Sequence, residues 1–456
     1  MKRIIQGLIL LFTVAGLQNP TLANEFTDVI DAADTEFGDP FDLNLTIGYE
    51  RFQKTSVIRR ENFGGEPHDW DYFAYDNMFK SKQVTHILNM NLEVGLYHDI
   101  SFRFRLPLIL NDTRELTAHS GWNKQWRDTD DDGIANQAKD ALFSVPFKSP
   151  TRSGVDHFAM GLWWGILAQD RDDTKPNWTV FVETRIGVGD TLEASCESAQ
   201  LIPEAYSDGE DFGGGTRTCE AAGYDNKGGV SRGLNELAFG TRFSRRYGIL
   251  DPYFGIEALI GWAKDGTAFF VTDGKAGQIN TMPPVVGTLD FGLEIIPWEV
   301  PEKDLKFSIT VGSGGKYYSE GREYTPLFDA LGTSSYLMHP ESTDFNGDGE
   351  PELDTNPALN SWSGVTDVEN YAMFQGKLIL MIQPAKYVKF HIGTQLAHET
   401  EHFITKTDQC TSGNLVDGVC NPYNQSHRPA IDAPGNRFRA EKTLLWNFFI
   451  DATAMF

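Results

Sequence analysis

Residues 88–110 read LNMNLEVGLYHDISFRFRLPLIL, and their alternation of apolar and polar side chains decides the fold class. Every second residue from Leu88 to Leu96 is apolar, and the same period of two returns from Ile100, with Ile109 as the exception. Successive side chains of a β-strand point to opposite faces of the sheet. The stretch therefore predicts a β-hairpin that turns at residues 97–99 and has one apolar and one polar face.

The same period of two recurs along the chain and predicts an all-β fold, a transmembrane antiparallel β-barrel of about 12 strands. Most of these strands have roughly the 9–11 residues that a tilted membrane strand needs. A water-soluble β-sandwich is the alternative, and its strands would be about half as long. The predicted strands are residues 41–50, 88–96, 100–110, 156–168, 178–189, 235–245, 250–262, 285–296, 304–315, 371–382, 387–404 and 438–456.

Short and long connections alternate between these strands, as they do in outer-membrane barrels. If the first strand rises from the periplasm, every long connection is an extracellular loop and both chain ends are periplasmic. The predicted long loops are residues 51–83, 112–155, 190–234, 263–284, 316–370 and 405–437.

The last strand carries apolar side chains at alternate positions back from the final residue. These are Phe456, Ala454, Ala452, Ile450, Phe448, Trp446 and Leu444. A strand of this kind resembles the C-terminal signal by which outer-membrane β-barrel proteins are recognised for insertion. The resemblance implies a barrel in the outer membrane of a Gram-negative bacterium, in contact with lipid and lipopolysaccharide. It implies no particular activity.

Residues 1–23 have the pattern of a secretory signal peptide. A cationic start at residues 1–3 precedes a short apolar run, and a small residue, Ala23, stands at the expected cleavage point. The predicted domains are then the signal peptide, a periplasmic N-terminal segment at 24–40 and the barrel at 41–456. Whether the acidic residues 24–39 plug the base of the barrel is left open by the sequence.

The charge of the chain bears on its partners. With 64 acidic and 39 basic residues, the formal net charge is -25. Such an acidic surface argues against nucleic acid as a partner.

Four cysteines form two locally spaced pairs. In an exported protein this spacing predicts the disulfides Cys196–Cys219 and Cys410–Cys420.

If the apolar side chains face lipid, the charged side chains between them face the lumen. Both signs of charge occur there, and such residues either line a water-filled path or pair into ladders that fill the barrel. The predicted lumen residues are Glu93, Arg103, Arg105, Glu183, Arg185, Arg242, Glu257, Asp290, Glu294, Lys377 and His391.

Two acidic stretches of the predicted loops resemble calcium-binding loops, in which oxygen ligands alternate ahead of a turn-making glycine. The second departs from the EF-hand pattern because Lys139 stands where an EF-hand carries its bidentate glutamate. The alternative for both is a solvated acidic loop. The predicted Ca²⁺ ligands are Asp344, Asn346, Asp348, Glu350 and Glu352 in one stretch, and Asp128, Asp130 and Asp132 in the other.

Residues 398–402, HETEH, match the zinc-binding string of metalloproteases, which works on a helix. On the predicted strand, His398 and His402 would share a face about 13 Å apart, at about 3.3 Å per residue. One zinc ion cannot bridge that distance, so the match does not predict a protease.

The sequence thus predicts a barrel without enzymatic activity that forms a polar channel or substrate-selective pore for small solutes, with calcium-braced acidic loops outside. A surface-binding or structural barrel that acts through its loops is the alternative. A barrel-embedded hydrolase is less favoured, because no serine can be assigned beside a histidine.

Overall fold

The computed structural model describes residues 26–30, 42–63, 73–119, 142–203, 216–225, 229–270, 278–334, 337, 362–410, 415–416, 419–420, 424 and 426–456. Twelve long strands follow one another around a closed antiparallel barrel, in which the last strand pairs with the first. They are β1 Leu43–Phe63, β2 Phe73–Tyr97, β3 Ile100–Ala118, β4 His157–Leu167, β5 Asn177–Gly187, β6 Leu234–Ser244, β7 Leu250–Ala263, β8 Val286–Val300, β9 Leu305–Tyr318, β10 Tyr371–Ala385, β11 Val388–Glu399 and β12 Phe438–Met455.

The predicted fold class and the C-terminal strand are confirmed. The barrel closes at the chain's last residue, where the Leu43 amide donates to the Phe456 carbonyl oxygen at 3.1 Å and the Phe456 amide donates back at 2.9 Å. The closing hydrogen bonds therefore leave no unpaired edge at this position, which is what a strand in lipid requires.

The outer face of the barrel is apolar. Large hydrophobic side chains alternate outward along the strands and are exposed. They include Ile47, Leu162, Trp164, Phe239, Ile256, Phe291, Val311, Leu378, Leu396 and Ile450. In water this surface would be unfavourable, so it indicates contact with lipid hydrocarbon. Among the described residues, no helix is long and apolar enough to cross a membrane.

The first two strands are longer than predicted. The predictions of 41–50 and 88–96 are wrong in length, because β1 has 21 residues and β2 has 25. The prediction of 100–110 is likewise too short, because β3 has 19 residues, and the loop predictions 51–83 and 112–155 are therefore too long. Beyond residue 50 both faces carry polar side chains, so no apolar period marks the strand. Backbone hydrogen bonding nevertheless continues there.

The connections at the end remote from the short turns fold into a cap with its own apolar core. We call the cap the described residues of 142–156, 188–233, 264–285, 319–370 and 400–437, with the adjoining ends of β1, β2, β3 and β12. Its core is formed by Ile58, Met78, Phe79, Leu116, Leu142, Phe143, Phe147, Cys196, Ile202, Cys219, Leu327, Ala330, Leu331, Leu337, Trp362, Ile404, Ile431, Phe438 and Ala440.

The cap also contains short regular elements. Its strands are Phe147–Lys148, Arg152–Val155, Leu201–Pro203, Thr216–Thr218, Gly321–Glu323, Thr366–Val368, His402–Phe403, Leu415–Val416 and Val419–Cys420, and its helices are Phe328–Gly332 and Pro429–Asp432. A 3₁₀ turn at Pro301–Lys303 belongs to the opposite end of the barrel.

The predicted disulfide Cys196–Cys219 is present within the cap core, with a Cα–Cα distance of 6.0 Å. Cys410 is also disulfide-bonded. The side chain of Cys420 lies outside the described residues, so the pairing Cys410–Cys420 stays a prediction.

Candidate functional site

The barrel lumen encloses a cavity of about 380 Å³, and we call it the lumen cavity. Five basic and five acidic side chains line it, together with His391, Trp163 and Phe181. The basic group is Arg103, Arg105, Arg185, Arg242 and Lys389, and the acidic group is Asp28, Glu93, Glu183, Glu257 and Asp451. Of the predicted lumen residues, eight are in this lining: Glu93, Arg103, Arg105, Glu183, Arg185, Arg242, Glu257 and His391.

One side of the lumen cavity is a ladder of ion pairs centred on Arg185. This guanidinium donates to Glu183 at 2.9 Å and lies 3.5 Å from Glu236 and 3.8 Å from Glu257. Arg105 contacts the same Glu183 carboxylate at 2.7 Å. Because β5, β6 and β7 are neighbours, period-two alternation brings these inward side chains to one face of the lumen.

Two further ion pairs lie in the lining outside this ladder. Arg103 donates to Glu93 at 2.6 Å and lies 4.7 Å above the Trp163 ring. His391 contacts Asp451 at 2.7 Å.

The other three predicted lumen residues also face the interior, but they lie outside the cavity lining. Lys377 donates to Asp290 at 2.6 Å. Glu294 pairs with Lys306 at 3.1 Å, and both side chains are almost fully buried. Since a buried pair of this kind is closed to solutes, its role is to fill the barrel near the short turns.

The sequence left open whether the N-terminal region plugs the barrel, and the structure places residues 26–30 inside it. We call these residues the lumen segment. The Thr27 hydroxyl lies 2.7 Å from that of Ser244, and Thr179 donates to the Thr27 carbonyl oxygen at 2.7 Å. Arg103 donates to the Asp28 carbonyl oxygen at 2.6 Å. The segment thus lies across the lumen near the short turns, on the opposite side of the cavity from the cap.

An aromatic side chain anchors the lumen segment. The Phe26 ring lies 4.7 Å from the Tyr253 ring, and Arg242 stands 4.7 Å above it. The same guanidinium is 4.8 Å from the Phe181 ring, so it is held between two aromatic faces. Contacts of this kind are favourable because a cation is attracted to the π-face of a ring.

The sequence reasoning missed the aromatic residues of the lumen. Trp163, Phe181 and Tyr253 occupy inward positions of β4, β5 and β7. These residues could have been identified because they lie on the strand face that otherwise carries charged side chains. The contacts of Phe26 had no local signal, since its partners lie more than 150 residues away in the sequence.

The predicted calcium ligands at 128–132 and 344–352 lie outside the described residues. Within the described ranges, no group of three or more His, Cys, Asp or Glu side chains is placed to hold a metal ion.

The prediction that His398 and His402 share a face is wrong. β11 ends at Glu399, and Lys442 on the neighbouring strand takes a φ of 50°, which interrupts the regular alternation. His398 is exposed on the outside, whereas His402 is buried and stacks on the Tyr371 ring at 4.0 Å. The two imidazoles therefore do not form a joint site.

No protein-family model matches the chain, and no curated protein sequence matches it. Among solved structures, the chain is similar to an outer-membrane channel from Pseudomonas putida F1, with 8% identity over 96% of this chain and 100% of that one and a TM-score of 0.39. A Pseudomonas aeruginosa FadL homologue has 10% identity over 93% of this chain and 92% of that one, with a TM-score of 0.35. The outer-membrane protease OmpT from Escherichia coli has 9% identity over 91% of this chain and 98% of that one, with a TM-score of 0.27.

At these levels of similarity the class of the protein follows from its own geometry. A closed antiparallel wall of twelve strands surrounds an ion-paired interior, and the outside of the wall is apolar. This combination is stable only where lipid meets the outer face and water or polar groups meet the inner face. The chain folds as a transmembrane β-barrel.

Proposed function

We propose that the barrel is a channel for small polar solutes, held closed in the conformation described here. The observation that carries the proposal is the lumen cavity itself, a polar space inside a membrane-spanning wall, bounded at one end by five residues of the chain's own N-terminal region. Ion-pair ladders alone could fill a structural barrel, but here the ten charged side chains surround a space that a small solute can enter.

The charges of the cavity indicate how solutes would be handled. Five basic and five acidic side chains give a lining with little net charge. Ion pairs such as Arg105–Glu183 can exchange one partner for a charged group of a solute without leaving a bare charge. Weak selectivity between simple cations and anions is therefore expected, with preference for solutes that offer both polar and aromatic groups.

Conductance in planar bilayers tests the channel. We expect the complete mature protein to conduct poorly and a variant lacking residues 26–30 to conduct at least several-fold better, because the deletion empties the lumen near the short turns. A variant that lacks residues 32–36 instead serves as the length-matched control. In the first deletion variant, Glu183→Gln should shift the reversal potential toward anions.

Equal, negligible conductance of both deletion variants in correctly folded protein would contradict the channel. That outcome would favour the second candidate, a surface-binding barrel. The folded cap with its own apolar core supports that candidate, since it presents a defined surface rather than a bare pore mouth.

Calcium bracing of the loops is a finer part of the same proposal and is supported by sequence spacing alone. If Asp344, Asn346, Asp348 and Glu352 hold Ca²⁺, millimolar calcium should protect residues 320–365 from proteolysis, and Asp348→Ala should abolish the protection. Proteolysis at the same rate with and without calcium would remove this part of the proposal.

A further inference from the structure

The residues around Phe26 in the lumen leave a space that fits an aromatic ring, and we call this space the Phe26 seat. Gly255 lies directly against it, and a Cβ atom added at Gly255 would stand 2.6 Å from the Phe26 ring. Tyr253 supplies a ring 4.7 Å away, and the Lys377 amino group lies 5.5 Å from the Phe26 ring centroid. The space for the ring therefore depends on the absence of one side chain.

Arg242 depends on the lumen segment for its polar contact. It donates to the Phe26 carbonyl oxygen at 3.2 Å and makes no ion pair within the described part of the chain. The neighbouring cation, Lys377, is neutralised by Asp290 at 2.6 Å. When the lumen segment leaves, Arg242 retains the Phe181 ring but loses both its carbonyl acceptor and the Phe26 ring. Arg242 is half-buried and lines the lumen cavity, so an anion that enters after the segment leaves would meet a guanidinium that makes no ion pair within the described residues.

The chemistry of Phe26 indicates which anion fits. Its carbonyl carbon is joined to its ring through two carbons, Cα and Cβ. A free acid with the same spacing between carboxylate and ring is a 3-arylpropanoate. Its carboxylate would replace a neutral carbonyl oxygen with a charged acceptor, which forms a stronger hydrogen bond with a guanidinium.

We propose that the Phe26 seat is a binding site for aromatic carboxylates of the 3-arylpropanoate class, which bind by displacing the lumen segment. The ring takes the place of the Phe26 ring against Tyr253 and Gly255, and the carboxylate accepts from Arg242. The proposal rests on the proposed channel only for the ligand's way in, because binding itself is measurable without conductance.

Isothermal titration calorimetry of the purified full-length mature protein in detergent tests the site with 3-phenylpropanoate as the probe. The neutral 3-phenylpropanamide and the ring-free propanoate are the matched ligands. We expect each of them to bind at least ten-fold more weakly than 3-phenylpropanoate, because one lacks the charge and the other lacks the ring. Equal affinity of the acid and the amide for the wild-type protein would overturn the proposal, and this comparison needs no variant.

Three variants examine the seat itself. Phe26→Ala should bind 3-phenylpropanoate several-fold more tightly, because it removes the competing ring. Arg242→Met should bind at least ten-fold more weakly, and Gly255→Val should do the same by filling the ring's space. Lys303→Met, on an exposed turn, is the control and should bind as the wild type does. Heat-modifiable migration on gels identifies any variant that has not folded.

The outcomes separate this inference from the channel. Binding without conductance in any variant leaves the site standing and removes the channel. Conductance without binding of 3-phenylpropanoate, or unchanged affinity in folded Arg242→Met or Phe26→Ala, overturns the site alone.

Discussion

The two ends of the barrel are packed in different ways. At the cap end, aromatic and aliphatic side chains pack into a core in which Phe79, Phe143 and Phe438 are almost fully buried. At the other end, the lumen segment is held by one ring and a few hydrogen bonds. Burying a large apolar side chain contributes about 1.5–3 kcal/mol, whereas a hydrogen bond contributes about 1 kcal/mol net.

This difference indicates which part is displaced more easily. Many apolar contacts, a disulfide and buried ion pairs make the cap one cooperative unit, and such units open rarely. A five-residue segment with mostly polar contacts can exchange them for water or for a solute at little cost. The cap is therefore the stable structure, and the lumen segment is the part that exchanges.

The variant with the largest expected effect removes a buried charge from the cap. Arg152 donates to Asp329 at 2.6 Å and 3.0 Å, and both side chains are at most 4% exposed. Arg152→Ala leaves the Asp329 carboxylate buried without its cation, so the free energy of opening the cap should fall by about 3–5 kcal/mol. Hydrogen exchange of residues 328–334 measures this effect.

The control for that variant is Lys82→Ala. Lys82 lies 3.5 Å from Glu115 at the surface, where an ion pair contributes little. Faster exchange of residues 26–30 in Arg152→Ala, to the same degree as in the cap, would show that the cap and the lumen segment are coupled rather than independent.

A second test uses pH. Asp432 lies in a cap helix outside the barrel strands, and burial raises its pKa from 3.8 to about 7, against the hydrogen bonds from the Arg428 and Thr407 amides and the charge of Arg428. The neutral carboxyl is therefore favoured in the folded cap. Its contribution to stability is fully present below about pH 4 and is lost as pH rises through about 7.

We expect the cap to lose at most about 4 kcal/mol of opening free energy between pH 4 and pH 8, at about 1.4 kcal/mol for each unit of pKa shift. Asp432→Asn, which stays neutral, should flatten that profile, and Asp170→Asn on an exposed turn should leave it unchanged. A profile of the same slope in Asp432→Asn would mean that another group titrates in the cap.

A third test removes the Cys196–Cys219 disulfide. The two cysteines are 23 residues apart, and a crosslink closing a loop of that size stabilises by about 3 kcal/mol in the chain-entropy account. The double substitution of both cysteines by alanine should lower the opening free energy of the cap by that amount. Exchange of the lumen segment should not change, and intact-mass analysis of both proteins confirms the state of the thiols.

The barrel could be predicted from sequence because its information is local. Alternation from Leu88 to Leu110 and at the last strand predicts which face meets lipid, and Leu96, Leu110, Leu444 and Ile450 are exposed as this requires. The halves of β1 and β2 nearest the cap could not be predicted, because polar side chains occur on both of their faces and the period of two carries no contrast.

The arrangement of residues in the lumen can be predicted only in part from local sequence patterns. The alternation of side chains places Arg185 and Glu183 inside the barrel, but it does not predict which charges form ion pairs. The position of the lumen segment is beyond a local argument, since Thr27 and Ser244 are 217 residues apart in the sequence. Only the closed barrel brings these two residues together.

The smallest test concerns a single hydroxyl at the exchangeable end. The Thr27 and Ser244 hydroxyls are 2.7 Å apart and buried, and Ser244 also accepts from the Asn177 amide at 3.2 Å. Thr27→Val keeps the shape of the side chain and removes the hydrogen bond, so the lumen segment should open about 1 kcal/mol more easily, or roughly five-fold more often.

Combining it with Ser244→Ala in a double-mutant cycle isolates the pair, and we expect a coupling energy of about 1 kcal/mol from hydrogen exchange of residues 26–30. Thr46→Val, which breaks a similar 2.8 Å hydroxyl pair with Thr453 in the barrel wall, is the control and should leave that exchange unchanged. A coupling energy near zero would mean that the Phe26 ring and its contact with Arg242, rather than the hydroxyl pair, keep the lumen segment in place.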